Sequence, residues 1–181
     1  RHICVFSINK LMESNKNLVF LGMMGSGKTT LGKIVSRRLN KKFIDIDHEI
    51  EIKEGMKISD IFKEKGESFF RKLEERISLQ NLKKNNCIIS LGGGAFMNKK
   101  IQKEVLKSHI SIWLKWDNKN LIDRIKNSQK RPIAIQLDED DLNKLIDKRS
   151  KIYAKAKYQI KCDKLSKSEI TRKIIELDEA N

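Results

Sequence analysis

An apolar tetrapeptide, Leu18 to Leu21, runs directly into Gly22-Met23-Met24-Gly25-Ser26-Gly27-Lys28-Thr29, and a helical pattern takes over behind it. This junction constrains the chain more than any other segment, because a buried strand, a glycine-rich loop and a helix must follow one another without a gap. Glycines let successive backbone N–H groups turn inward, and the helix N-terminus adds partial positive charge. Such a loop suits an anionic polyphosphate, with Lys28 reaching the β and γ phosphates and Thr29 available to magnesium. Two other glycine patterns fail here. Thr30 stands where a G-x-G-x-x-G dinucleotide fingerprint needs its last glycine, and Met24 occupies the first position of a G-x-S-x-G hydrolase elbow.

The rest of the chain continues the alternation. Short apolar runs read as buried strands at Leu18 to Leu21, Phe43 to Ile46, Cys87 to Leu91, Ile110 to Leu114 and Tyr158 to Cys162. Helical patterns are expected at Thr29 to Leu39, His48 to Lys53, Ser59 to Lys65, Glu67 to Lys84, Asn98 to Lys107, Asp117 to Asn127, Asp140 to Lys155 and Ser166 to Leu177. Strands that are apolar along their whole length imply an α/β fold, a parallel sheet covered on both faces. Ligands of such sheets sit beyond the strand C-termini.

With 181 residues, a single proline (Pro132) and no Gly/Ser-rich linker, residues 12–181 are expected to form one domain. Residues 1–11 read as a leader or extension outside the core. Cys4, Cys87 and Cys162 are odd in number and far apart, which excludes a paired-cysteine zinc site or disulfide scaffold and fits a reducing, cytoplasmic setting. No apolar stretch is long enough for a membrane span. The formal net charge is +15, from 39 basic and 24 acidic residues, and invites a nucleic-acid partner. The excess is mostly lysine and the chain is only 6% aromatic, with no basic patch interleaved with rings, so no nucleic-acid partner is expected. Scarce arginines matter more, since planar bidentate recognition is work that lysine does badly.

Three further constellations carry chemistry. Period-two alternation in Phe43-Ile44-Asp45-Ile46-Asp47 puts two carboxylates on one side of the second strand's end, where one can support magnesium and the other orient or deprotonate an acceptor hydroxyl. The alternative for either residue alone is an N-cap for the helix that begins near His48. Arg71 lies beside the buried stripe Phe70, Leu73 and Ile77, and either clamps a substrate carboxylate or pairs on the surface with Glu74 or Glu75. Ser90-Leu91-Gly92-Gly93-Gly94 permits close backbone approach to a small ligand, and equally makes an ordinary turn.

Taken together, these blocks are specific. The order G-x-x-G-x-G-K-T, F-x-D-x-D-x-x-I-E (Phe43 to Glu51), I-x-x-I-F-x-x-x-G-E-x-x-F-R-x-x-E (Ile58 to Glu74), S-L-G-G-G and Arg131-Pro132 closely resembles the shikimate kinase family. The resemblance implies a three-layer P-loop kinase fold like that of nucleoside monophosphate kinases, with a five-stranded parallel sheet in the order 2-3-1-4-5 and a mobile lid at about 127–141. It also implies transfer of the ATP γ-phosphoryl group to the 3-hydroxyl of shikimate, in chorismate and aromatic amino acid biosynthesis, with ATP and Mg2+ as cofactors; separately, a monomer is expected. Carried over by position, Gly25, Ser26, Gly27, Lys28, Thr29 and Thr30 hold the phosphates, with Thr29 and Asp45 at the metal. Asp47 meets the shikimate hydroxyls as the candidate base. Arg71 and Arg149 grip the carboxylate beside Gly92, Gly93 and Gly94, Arg131 descends from the lid onto the phosphates, and Arg124 lies near the adenine. Lys151 stands where members usually carry a proline.

The rival readings are a gluconate or nucleoside monophosphate kinase on the same fold, and an NTP-dependent nucleic-acid-binding module. A GTPase is disfavoured because Asn118-Lys119-Asn120-Leu121 breaks the guanine-reading N-K-x-D.

Overall fold

A computed structural model describes residues 16–127 and 137–181. Five parallel strands, β1 (Leu18–Leu21), β2 (Lys42–Asp45), β3 (Cys87–Ser90), β4 (Ile110–Lys115) and β5 (Tyr158–Lys161), form one sheet in the order β2-β3-β1-β4-β5. This is the order the resemblance implies. β1 is central, and alternation splits its apolar side chains between two cores. Leu18 and Phe20 pack with Leu31 and Val35 of α1 (Lys28–Leu39) and with Ile170 and Ile174 of α7 (Lys167–Glu179). Val19 and Leu21 face the other side. There they meet α2 (Ile46–Glu54), α3 (Ile58–Leu82), α4 (Lys99–Ser108), α5 (Asn118–Lys126) and α6 (Glu139–Tyr153). Because β3 and β4 flank β1 on opposite sides, the chain opens a crevice at the C-terminal ends of these strands, where such sheets take ligands.

Two features of this frame set the site. The helices expected at 59–65 and 67–84 run together as α3, but Gly66 between them sits at φ 77° and ψ 168°, so the helix kinks where glycine alone is unstrained. The far end of α3 is pinned by Asn17, whose side chain donates to the carbonyls of Leu82 and Lys84 and accepts from the backbone N–H of Cys87. Asn17 is fully buried, and its satisfied amide locks α3 against β1 and β3.

One boundary differs from expectation in a way that matters. β2 stops at Asp45 and α2 begins at Ile46, two residues earlier than the pattern suggests. Asp45 is the N-cap, its side chain accepting from the backbone N–H of Asp47, so Asp47 lies in the first turn of a helix and not on strand alternation with Asp45. At the expected lid, Asn127 closes α5 and Glu139 to Asp141 form the first turn of α6, so both ends of that segment are helical. Its middle, Arg131 included, lies outside the described residues, as do residues 1–11.

Candidate active site

The nucleotide half of the site is the loop between β1 and α1. Its turn is closed by the Ser26 N–H donating to the Met23 carbonyl, and α1 starts with no acidic residue in its first turn and no side-chain cap. The open N–H groups and helix dipole are therefore left for an external anion. Lys28 is only 8% exposed and folds back along the loop, its Nζ donating to the carbonyls of Gly22 (2.7 Å) and Met23 (2.9 Å). Thr29 and Thr30 are exposed. The Thr29 hydroxyl donates to Asp45 Oδ2 at 2.6 Å, so Asp45 serves its helix with one oxygen and the loop with the other. Behind the loop, Arg124 Nε donates to the Gly25 carbonyl at 2.8 Å and Trp116 Nε1 to the Ser26 carbonyl at 3.0 Å.

The acceptor half is assembled from separate elements around Gly92-Gly93-Gly94, which follows β3. Each glycine faces a different group, and the backbone geometry shows how close they come. A Cβ at Gly92 would lie 2.7 Å from both Asp47 Oδ1 and Glu74 Oε1. At Gly93 it would lie 3.3 Å from the Met24 backbone nitrogen and 3.5 Å from Arg149 Nη1, and at Gly94 2.6 Å from Arg71 Nη1. A side chain at Gly92 or Gly94 would displace the carboxylates or the Arg71 guanidinium, and one at Gly93 would crowd the phosphate loop. The Gly93 position also touches both halves at once, since Met24 belongs to the phosphate loop.

Arg71 makes one of the two pairs expected of it and keeps donors to spare. Its Nη1 donates to Glu74 Oε2 at 2.7 Å and its Nε to Glu67 Oε1 at 3.2 Å, while its other N–H groups remain for a further acceptor. Of the two expected partners Glu74 is the one engaged, and not at the surface, since its side chain is 4% exposed, while Glu75 binds Lys100 and Asn98. Burial pushes the Glu74 carboxyl above the usual carboxylate range, and Arg71 beside it only partly offsets this. Glu74 thus holds Arg71 toward the glycines from behind. Arg149, half-buried on α6, touches Met23 Sδ at 3.6 Å, and four residues later the buried Tyr153 hydroxyl donates to the Gly93 carbonyl. Lys151 is exposed within an unbroken helix, so it does not displace Arg149.

The described residues therefore bring Lys28, Thr29, Thr30, Asp45, Asp47, Arg71, Gly92 to Gly94, Arg124 and Arg149 around one crevice. Glu74 closes the G-E-x-x-F-R-x-x-E block but is given no site role by it, and no motif singles out Trp116 or Tyr153. Helical spacing from Phe70 and from Arg149 is the available signal for Glu74 and Tyr153; nothing in the sequence pairs Trp116 with the loop.

Comparisons with known proteins bear on the fold and the family. The model of the family described as shikimate kinase matches residues 24–179. The chain belongs to the shikimate kinase family. A shikimate kinase of Sulfurihydrogenibium sp. (strain YO3AOP1) is 41% identical over 160 residues, 88% of this chain and 96% of that protein. One from Bartonella henselae is 38% identical over 179 residues, 97% and 85% of the two chains. The solved shikimate kinase from Acinetobacter baumannii, in complex with shikimate, superposes with a TM-score of 0.86 at 29% identity, covering 95% of this chain and 97% of that one. Deoxyadenosine kinase from M. mycoides, at 17% identity and a TM-score of 0.58, shares the fold alone. No helix among the described residues is long and apolar enough to cross a membrane.

Proposed function

We propose that this chain transfers the γ-phosphoryl group of ATP to the 3-hydroxyl of shikimate. The observation that carries the reading is the convergence of Asp47, Arg71 and Arg149 on Gly92 to Gly94, one residue of which also touches the phosphate loop. A carboxylate and two guanidiniums around a glycine floor suit a small ring that bears hydroxyls at one end and a carboxylate at the other. The loop amides of Gly25 to Thr30 hold the phosphates, and Lys28 exchanges its carbonyl partners for phosphate oxygens. Asp47 orients the acceptor hydroxyl and takes its proton, Arg71 and Arg149 hold the carboxylate, and Arg124 lies beside the adenine. Arg131 reaches the transferred group from the segment that precedes α6.

The donor set also fits Mg2+, which prefers oxygen ligands and keeps several waters. Thr29 and Asp45 offer a hydroxyl and a carboxylate 2.6 Å apart. When bound, the ion neutralises charge on the phosphates. The enzyme acts in the cytoplasm, as its widely spaced cysteines support, and without nucleic acid, as its dispersed lysines support; we read it as a monomer.

A coupled ADP-release assay with shikimate, gluconate, AMP, CMP or no acceptor tests the reading. Turnover is expected with shikimate alone. Comparable turnover with gluconate or a nucleoside monophosphate, or none with shikimate, would overturn it.

A further inference from the structure

We propose that Trp116 is the positioning residue of the nucleotide half, a preformed backing that fixes the phosphate loop and holds Arg124 flat beside it. The proposal rests on the reading that ATP occupies this loop.

Trp116 stands just past the C-terminal end of β4, the neighbour of β1, and it packs against both hydrophobic cores. The ring is therefore anchored by the cores as well as by the loop it touches. From that anchor it makes two contacts. Its indole N–H donates to the Ser26 carbonyl at 3.0 Å, and its face carries the Arg124 guanidinium 4.1 Å from the ring centroid. Arg124 in turn donates to the Gly25 carbonyl at 2.8 Å. Two consecutive loop carbonyls are thus held by one stacked pair.

Peptide planarity gives these contacts a consequence for binding. In a trans peptide the C=O of one residue and the N–H of the next point in opposite directions. Holding the Ser26 carbonyl on Trp116 turns the Gly27 N–H away from the indole, and holding the Gly25 carbonyl on Arg124 directs the Ser26 N–H into its turn with Met23. The loop is in this way pre-ordered before phosphate arrives, which lowers the ordering cost of binding. Arg124 gains as well. Its side chain is exposed, so a guanidinium with one face on Trp116 presents the other to solvent at the mouth of the loop, a flat cation suited to a nucleobase.

The test separates nucleotide from acceptor. Trp116→Leu removes both contacts and should raise the KM for ATP about tenfold, in line with one cation–π contact and one hydrogen bond lost together. The KM for shikimate and kcat should stay within about twofold, since the acceptor half is untouched. Trp116→Phe keeps a ring under Arg124, protects folding, and should fall between Leu and wild type. A spectroscopic readout needs no turnover. The chain has two tryptophans, Trp113 buried in the core and Trp116. ADP alone should change the intrinsic fluorescence of the wild type, and the change should vanish in Trp116→Phe. If Trp116→Leu raises both KM values alike, or if the ADP signal survives in Trp116→Phe, the indole only fills space and the proposal falls. ADP binding without shikimate turnover would instead overturn the acceptor reading, while the fluorescence comparison would still decide for or against Trp116.

Discussion

The two halves of the crevice are built in different ways. The nucleotide half is mostly one contiguous stretch, Gly22 to Thr30, whose binding groups are backbone amides held in place by their own turn and by Trp116 and Arg124. The acceptor half has no such stretch. Asp47 comes from α2, Arg71 and Glu74 from α3, the glycines from the end of β3, and Arg149 from α6. Its groups are side chains whose positions depend on how helices pack, so it should be the more fragile half. A single substitution there removes a charge or a donor that nothing nearby replaces.

The largest effect is therefore expected at Asp47. Asp47→Asn should lower kcat with shikimate by about 10²- to 10⁴-fold, the range for a lost acid–base group, with ATP binding retained. Asp45→Asn is the matched control. Asparagine caps helices as well as aspartate does, so α2 should hold, and the variant should instead need more magnesium. Magnesium that rescues the Asp47 variant and not the Asp45 variant would reverse the two roles. Next comes Lys28→Ala, which removes a cation from the contiguous half and should cost about 100-fold in turnover with the fold intact by circular dichroism. Retention of more than about a tenth of wild-type turnover would show that the loop amides suffice and that the lysine only braces the Gly22 and Met23 carbonyls.

The same contrast explains what is readable from the sequence. The phosphate loop is a local object, and spacing alone locates it, as short apolar runs locate the strands to within one residue or so. The sheet order comes with the family resemblance and not with the pattern itself, because strand adjacency depends on crossovers that hydrophobic period does not record. Alternation points Asp47 to the right side of the site for the wrong reason, since the N-cap at Asp45 ends the strand before alternation can apply. Glu74 reads as a surface partner because a charged residue next to an arginine usually is one. Its burial depends on α3 lying against the glycines, a tertiary fact. Trp116 and Tyr153 reach backbone carbonyls in distant loops, and such contacts leave no periodic trace.

Arg71 sharpens the comparison from the acceptor side. Arg71→Lys keeps the charge and removes the planar fork, so shikimate affinity should fall by about 1 to 3 kcal/mol with ATP affinity little changed. Isothermal titration with each ligand measures this. An analogue lacking the carboxylate should bind wild type poorly and be nearly indifferent to the substitution. Because Glu74 is buried, its loss of a well-placed partner is the competing effect. Equal weakening of both ligands would mean that Arg71 chiefly neutralises Glu74 and that Arg149 carries the clamp.

The smallest expected effect, at Tyr153, is the one that most directly tests whether the halves are separate. Tyr153 is 1% exposed, lies with its ring 5.9 Å from that of Trp113 on β4, donates to the Gly93 carbonyl, and touches Met23 Sδ at 3.9 Å. It therefore reaches the acceptor floor and the phosphate loop from one ring. Burial holds its phenol far above the ordinary tyrosine range, so the hydroxyl stays a donor across any working pH. Tyr153→Phe keeps the packing and leaves the Gly93 carbonyl without this partner, a loss of about 1 to 2 kcal/mol. For a domain of this size that corresponds to a fall in Tm of roughly 2 to 8 °C. The two contacts are unequal, since a carbonyl is a strong acceptor and a thioether sulfur a weak one. The KM for shikimate should accordingly rise about threefold while the KM for ATP moves less, a small share of the lost hydrogen bond appearing in binding. If both KM values rise together, Tyr153 joins the loops into one rigid unit, and the distinction between a contiguous half and an assembled half describes how the site is encoded but not how it responds.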